Sequence, residues 1–297
     1  MWMLAVPPAA LAADIPTHVE TLAMGNATAA DPHDNAAVAA NPALLGLHRR
    51  YDVQAAFAYG PTGGLGWGAS ATDARTGDAL AIGFAYTGLS AEPPLNVEEL
   101  PGWTLPGEDP AHRRREHDFA LGFALQFFER KLAVGLGGDV LLYTYDQAGE
   151  GITGDLDAGL AAAPWTWLML SAAGRDLIGF DEVGGHERSI AFGLRTEDES
   201  IGAIAGEFDL FPDTSAFAIA AGLEKRLGTA FIRAGWRMDA SHQVSPHALS
   251  FGFGAESEAG ALGYALLIPL AAGDDTLAGL INAVSLRIAA PEGPPDM

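Results

Sequence analysis

One stretch of the chain alternates strictly between large apolar residues and small or polar ones. Residues 117–127 read H-D-F-A-L-G-F-A-L-Q-F, with Phe or Leu at every odd-numbered position from 119 to 127. A period of two places these side chains on one face of a β-strand, whereas a helix would scatter them around its circumference. The opposite face carries Gly, Ala and polar residues. This pattern is typical of a transmembrane β-barrel strand, which meets lipid on one face and a lumen on the other.

The composition points the same way and excludes several classes of protein. The 297 residues include 37 glycines and no cysteine, and the formal net charge is −22. No apolar run approaches the roughly 20 residues of a transmembrane helix, so only short alternating strands remain to cross a bilayer. The strong negative charge argues against nucleic acid as a partner, because its binding depends on clustered Lys and Arg. Without cysteine there is no disulfide, thiolate metal site or Cys nucleophile.

The alternation recurs from residue 51 onward in about 14 segments, an even number as bacterial barrels require. We predict strands at residues 51–59, 64–72, 78–87, 117–127, 131–143, 154–162, 166–174, 188–196, 201–211, 215–226, 229–238, 248–256, 261–268 and 283–289. The even-numbered connections between them are short, as expected for periplasmic turns. The long connections are all odd-numbered: residues 88–115, 144–153, 175–187, 239–247 and 269–282. The predicted fold is therefore an all-β, antiparallel, up-and-down membrane barrel at residues 51–290.

The two ends of the chain lack this alternation. Residues 1–12 end in Ala-Leu-Ala, which is typical of a secretory signal peptide, although the usual basic residues before the apolar run are missing. The alternative is a frayed apolar N-terminus. Between residues 13 and 50, Asp34 or Asn35 is expected to cap a short helix through Ala40, which Pro42 then interrupts. Residues 291–297 are assigned to a C-terminal tail.

The N-terminal segment carries a family resemblance. It contains Met-Gly-Asn-Ala, then Ala-Asp-Pro-His-Asp-Asn-Ala-Ala, then Asn41-Pro42-Ala43 followed by two leucines. This succession resembles the N-terminal segment of the FadL-like outer-membrane proteins of Gram-negative bacteria, which include the PorV-like proteins of secretion systems. Residues 171–179 and 233–237 resemble strands of the PorV-like group, with Asp176 where Asn is usual. The resemblance implies a hatch at residues 13–50, folded into the barrel, with Asn41-Pro42-Ala43 as its motif.

Charged residues on the small-residue faces are predicted to point into the lumen, because Arg or Lys facing lipid at midplane costs about 2–4 kcal/mol. They are Asp118, Asp139, Asp155, Asp157, Arg195, Glu207, Asp209, Arg233, Arg237 and Arg287, joined by the polar Gln126. A barrel of about 14 strands is too wide for side chains alone to fill, so residues 13–50 are the natural plug. Asp155 and Asp157 share one strand face. They either bind a cation, act in acid–base chemistry, or are two solvated lumen carboxylates.

No catalytic motif accompanies these residues. Neither a His-Glu-x-x-His spacing nor a Gly-x-Ser-x-Gly elbow occurs. We therefore expect no enzyme activity, no catalytic metal and no cofactor. Arg113, Arg114 and Arg115 precede a strand at the outer interface. They either pair with lipopolysaccharide phosphates or form a solvated loop end.

Three functions fit such a barrel, which would lie in the outer membrane in contact with lipid and lipopolysaccharide. Resemblance to FadL implies uptake of a hydrophobic small molecule, captured outside and passed through the barrel wall or past the hatch. The loop at residues 88–115 supplies apolar candidates for capture: Leu95, Val97, Leu100, Trp103 and Leu105. Resemblance to PorV implies instead a barrel that binds or shuttles secreted proteins and carries no solute. A general porin is disfavoured by the predicted plug.

Overall fold

The computed structural model forms one closed antiparallel barrel of 14 strands, in which the first strand pairs with the last. The structure describes residues 18–30, 35–60, 64–77, 79–91, 114–145, 149–181, 188–198, 200–240, 247–270 and 280–290. The strands are β1 Tyr51–Gly60, β2 Gly64–Asp73, β3 Leu80–Ala91, β4 Arg114–Phe127, β5 Leu132–Tyr145, β6 Gly149–Trp165, β7 Leu168–Asp181, β8 Ser189–Asp198, β9 Gly202–Phe211, β10 Ala216–Leu227, β11 Ala230–Asp239, β12 His247–Ser257, β13 Gly260–Leu270 and β14 Ile281–Ala289. Each predicted strand is present, and the predicted fold class is confirmed.

Strand β4 shows how the alternating pattern becomes two faces. Its odd-numbered residues from Phe119 to Phe127 point outward and are 41–50% exposed, whereas Ala120 and Ala124 are buried. Exposed Phe, Leu, Ile and Val residues also cover the outside of the other strands. So large an apolar exterior would aggregate in water and is the surface that a bilayer covers. Trp165 and Trp167 stack at a centroid distance of 5.5 Å at one end of the barrel, where aromatic residues flank the apolar band of such proteins.

The two ends of the barrel differ as the sequence predicts. We call the end that carries the even-numbered connections the even rim, and the opposite end the odd rim. Even-rim connections are short, for example residues 128–131, 166–167 and 228–229. At the odd rim the predicted loops at 144–153 and 175–187 are too long, because β5, β6 and β7 continue as paired strands to Tyr145, from Gly149 and to Asp181. The backbone ladder extends through these Gly- and Asp-rich residues although they lack the bulky alternation used to predict strands.

Short helices precede the barrel. They are α1 Val19–Ala23, α2 Ala37–Ala40 and a 3₁₀ helix at Pro42–Gly46. The expected capping by Asn35 is wrong: no side chain caps α2, and the Asn35 Oδ1 atom instead accepts a hydrogen bond of 3.0 Å from Thr72 of β2. Asp34, the other expected cap, lies outside the described residues, as do the predicted signal peptide and C-terminal tail. No helix in the described part of the chain is long and apolar enough to span a membrane.

Candidate functional site

The described N-terminal residues 18–30 and 35–47, here called the N-terminal segment, pack against the inward faces of the strands. Helix α1 contacts β11 to β14, and the 3₁₀ helix contacts β3 to β6 on the other side of the barrel. Leu22, Val38 and Leu44 are fully buried. Their partners on the strands are mostly alanines, which leave space for the segment where larger inward side chains would not. The small-residue face of the barrel and the Ala- and Leu-rich segment are therefore complementary in volume.

Asn41 holds the centre of the N-terminal segment in shape. Its side chain donates a hydrogen bond of 3.2 Å to the Ala29 carbonyl and accepts one of 3.2 Å from the Ala43 N–H. Asn41 thus caps the 3₁₀ helix, with Pro42 at its first position, where the missing N–H of proline costs nothing. Asn41 and Ala43 are both fully buried. Pro42 therefore begins a helix in this structure as well as ending α2.

Glycines of the wall permit this close approach. A Cβ atom at Gly135 of β5 would fall on the backbone of Ala43, and one at Gly159 of β6 would fall on the Asn41 Oδ1 atom. Any larger residue at either position would push the Asn41–Ala43 turn away from the wall. The inward-facing glycines predicted by the alternating pattern are thus the positions on which the N-terminal segment packs.

A first cluster of ion pairs lies toward the odd rim. The Arg175 Nη2 atom of β7 lies 2.8 Å from Glu207, and its Nη1 atom lies 3.5 Å from Asp209. Arg237 lies 3.5 Å from the other Asp209 oxygen. The same cluster also hydrogen bonds to the N-terminal segment. Arg175 donates a hydrogen bond of 2.8 Å to the Ala40 carbonyl, and Glu207 accepts one of 2.6 Å from the Ala29 N–H. These buried charges are paired, which offsets the cost of removing them from water.

A second cluster lies toward the even rim and centres on Glu224 of β10. The Glu224 carboxylate lies 2.6 Å from Arg233 and 4.0 Å from Arg195. Arg233 also reaches Glu20 of helix α1 at 3.4 Å, and Glu20 lies 3.9 Å from Arg287 of β14. One carboxylate of the N-terminal segment therefore contacts arginines of two strands. The arrangement ties α1 to the wall by charge as well as by apolar packing.

Outside the strands, a separate ion pair joins two connections of the odd rim. Arg188, just before β8, donates two hydrogen bonds to Asp213, which follows β9. This contact lowers the pKa of the Asp213 carboxyl. Both side chains are exposed, at 56% and 40%, so the pair contributes little to stability.

The wall itself is irregular between β6 and β7. Three residues of β7, Arg175, Asp176 and Leu177, stand opposite the single residue Asp157 of β6. Asp176 has a φ of +55°, and its N–H donates a hydrogen bond of 2.8 Å to the Asp157 side chain of β6 instead of to a backbone carbonyl. Asn and Asp are the non-glycine residues that adopt this conformation most readily. The position where the PorV-like group usually has Asn is thus the turning point of a β-bulge.

The predicted lumen charges all fall on the inward side of their strands. The buried members are Asp155, Asp157, Arg195, Glu207, Asp209, Arg233 and Arg287, and the half-buried ones are Asp118, Gln126, Asp139 and Arg237. Sequence reasoning missed Glu20, Arg175 and Glu224. Glu224 shares its parity with Ala220 and Gly222, opposite the outward Leu223, so strict alternation would have found it. Arg175 was assigned to a loop, and no sequence signal marks Glu20.

The predicted capture residues Leu95, Val97, Leu100, Trp103 and Leu105 lie outside the described residues. A pocket of about 280 Å³ is present at the even rim, lined by Arg226, Glu256 and Phe231 among others. Its Arg and Glu side chains suit a polar occupant better than an apolar one.

Comparison with known proteins identifies the architecture. No protein-family model matches the chain, and no curated protein matches its sequence. Solved structures do match over nearly the whole chain. A FadL homologue of Pseudomonas aeruginosa has a TM-score of 0.69 at 10% identity, over 93% of this chain and 98% of the other. The CymD monoaromatic hydrocarbon channel has a TM-score of 0.65 at 12% identity, over 93% and 97%.

The toluene transporter TodX of Pseudomonas putida gives a similar result, with a TM-score of 0.62 at 12% identity, over 91% of this chain and 95% of that one. At such low identity the agreement concerns the fold. It includes the closed barrel of 14 strands and extends over almost the full length of each matched chain. The chain therefore has the fold of the FadL-like outer-membrane barrels.

Proposed function

We propose that this chain is an integral outer-membrane protein that takes up hydrophobic small molecules. The observation that carries the proposal is the packing of the N-terminal segment against the inward faces of a barrel wide enough to hold water. A general porin needs an open aqueous lumen, and this packing disfavours one. The matched structures named as a toluene transporter and a monoaromatic hydrocarbon channel suggest aromatic hydrocarbons as the first substrates to test.

In this proposal the N-terminal segment is the hatch, and Asn41-Pro42-Ala43 is the motif that holds it against β5 and β6. The apolar residues Leu95, Val97, Leu100, Trp103 and Leu105 capture the solute at the outer face. The alternating Phe and Leu residues of the exterior contact outer-membrane lipid. Arg115, near the start of β4 at the odd rim, pairs with lipopolysaccharide phosphates in this proposal. The matched structures do not support the alternative of a PorV-like barrel for secreted proteins, because their names describe a hydrocarbon channel and a toluene transporter.

Uptake by whole cells tests the function. A Gram-negative host that lacks its own FadL-type protein would express the full chain or an empty vector, and would receive radiolabelled toluene or a long-chain fatty acid. We expect faster initial uptake of at least one of them in the expressing cells. Equal rates for both compounds in cells that contain folded protein would contradict the proposal.

A disulfide lock separates passage past the hatch from passage through the wall. A Cβ atom at Gly46 would lie 3.6 Å from the Gln126 Cβ atom, within the usual range of about 3.5–4.5 Å for disulfides. The same Cβ atom would lie 2.9 Å from that of Ala133, so Gly46→Cys and Gln126→Cys are combined with Ala133→Gly. The chain has no native cysteine to interfere.

If solute moves past the hatch, the oxidised variant should transport poorly and recover when a reductant is added. If solute leaves through the wall, oxidation should not change the rate. The variant with Gln126→Cys and Ala133→Gly but with Gly46 intact is the control, because it cannot form the lock.

A further inference from the structure

Strand β6 loses its regular pairing on both sides at the same height. Toward β5, the paired residues skip from Gly137 opposite Asp157 to Val140 opposite Gly154, so Asp139 and Asp155 face each other outside the ladder. Toward β7, the bulge opposite Asp157 interrupts the second ladder. A barrel strand is held mainly by these backbone ladders. The wall therefore needs another source of cohesion at this point.

Three carboxylates converge at the interruption. One oxygen from each of Asp139, Asp155 and Asp157 lies within 4.8 Å of the others. Asp155 and Asp157 are only 6% and 5% exposed. Three negative charges that are this close and this poorly solvated repel one another unless something neutralises them.

Neighbouring groups leave Asp155 unsatisfied. Both of its carboxylate oxygens are buried, and no N–H or hydroxyl group of the described residues donates a hydrogen bond to them. The partner within reach is the Asp176 carboxyl, a fourth acidic group, which can bond to Asp155 only by sharing a proton. Arg175, adjacent in sequence to Asp176, acts on Asp157 through its charge, but its guanidinium hydrogen bonds go to Glu207 and the Ala40 carbonyl, each at 2.8 Å. A buried carboxylate that faces other carboxylates and receives no N–H donor is a ligand that a hard cation would satisfy.

We propose that Asp139, Asp155 and Asp157 bind a divalent cation, and that the ion is calcium. Carboxylate oxygens are the ligands that hard divalent cations prefer, and calcium tolerates irregular geometry better than magnesium does. The ion joins β5 to β6 where their ladder is interrupted and neutralises the carboxylates that face each other there. The calcium ion thus cross-links two strands of the barrel, a structural role separate from the transport of a solute.

Calcium titration of the full-length folded protein tests the site. Protein in detergent is stripped with a chelator, exchanged into chelator-free buffer and titrated with calcium chloride in a calorimeter. We expect one saturable site per chain, with magnesium binding at least tenfold more weakly. Because calcium would bind the folded state, the unfolding temperature should rise with calcium concentration.

Two variants place the ion, and a third serves as the control. Asp155→Asn and Asp139→Asn should each weaken calcium binding at least tenfold and abolish the rise in unfolding temperature. Asp52→Asn is the matched control, because Asp52 is a buried inward carboxylate of β1, far along the sheet from β6, that accepts a hydrogen bond of 2.9 Å from the Thr72 hydroxyl. Its calcium affinity should equal that of the unchanged protein.

Several outcomes would overturn the site. Absence of saturable binding to the unchanged protein would mean that shared protons, and no metal ion, neutralise the cluster. Unchanged affinity in Asp155→Asn would place the ion elsewhere. If that variant does not fold, the half-buried Asp139 decides the matter, since unchanged affinity in Asp139→Asn would equally exclude the site.

Discussion

Replacing Phe123 with arginine tests whether the odd-numbered face of β4 meets lipid. A strand rises about 3.3 Å per residue, and a tilt of about 40° leaves about 2.5 Å of depth per residue. Phe123 is four residues from Phe127 at the strand end, so it lies about 10 Å deep, near the middle of an apolar band about 25 Å tall. Arginine there should cost about 2–4 kcal/mol.

Phe128→Arg is the matched control for this depth dependence. Phe128 is 75% exposed and lies in the even-rim turn, where the cost of arginine falls to about 0–1 kcal/mol. The expected difference of about 2–3 kcal/mol is roughly a 30- to 150-fold change in the folding equilibrium. Urea titration of folding into lipid vesicles measures it, with the heat-modifiable gel shift reporting the folded barrel. Equal stability of the two variants would refute the lipid-facing assignment of β4.

Two further predictions concern the lumen. Arg233→Met should destabilise the barrel by about 3 kcal/mol, the low end for breaking a buried pair, because Glu224 keeps other arginine neighbours. Arg188→Met, at an exposed pair, should leave the stability nearly unchanged in the same urea titration. Similar losses of stability in the two variants would contradict the network. Gly159→Ala should cost about 1–3 kcal/mol by overpacking and loosen the N-terminal segment to protease, whereas an added Cβ at Gly206 meets its nearest neighbour at 3.9 Å and should change neither stability nor cleavage.

The lipid face was predictable because it depends on a local period. Phe119 to Phe127 point outward whatever the rest of the chain does, and one strand recognised in this way fixes the pattern for the others. The strand count followed from the same period together with short even-numbered connections. Strand ends were less predictable, since Gly149 to Gly154 and Ile178 to Asp181 pair through their backbones without an alternating side-chain signal.

The interior was only half predictable. Alternation indicates that Glu207 and Arg233 face inward, but not which partners they meet, because those contacts depend on the register of other strands and on the folded N-terminal segment. Glu20 and Arg233 are in contact although they are more than two hundred residues apart in the sequence, and no sequence pattern around Glu20 predicts this pairing. The sequence carries one signal of the bulge. Asp176, which tolerates a positive φ, stands where the PorV-like group usually has Asn.

Ion conductance in planar bilayers tests most directly whether the N-terminal segment closes the barrel. We predict that the intact protein shows no sustained open-pore current, and that a variant lacking residues 14–47 folds and conducts, because its strand ladder is complete while its lumen fills with water. Both proteins must first show the heat-modifiable shift of a folded barrel. An intact protein that conducts like an open porin, or a folded deletion variant that stays closed, would contradict the account.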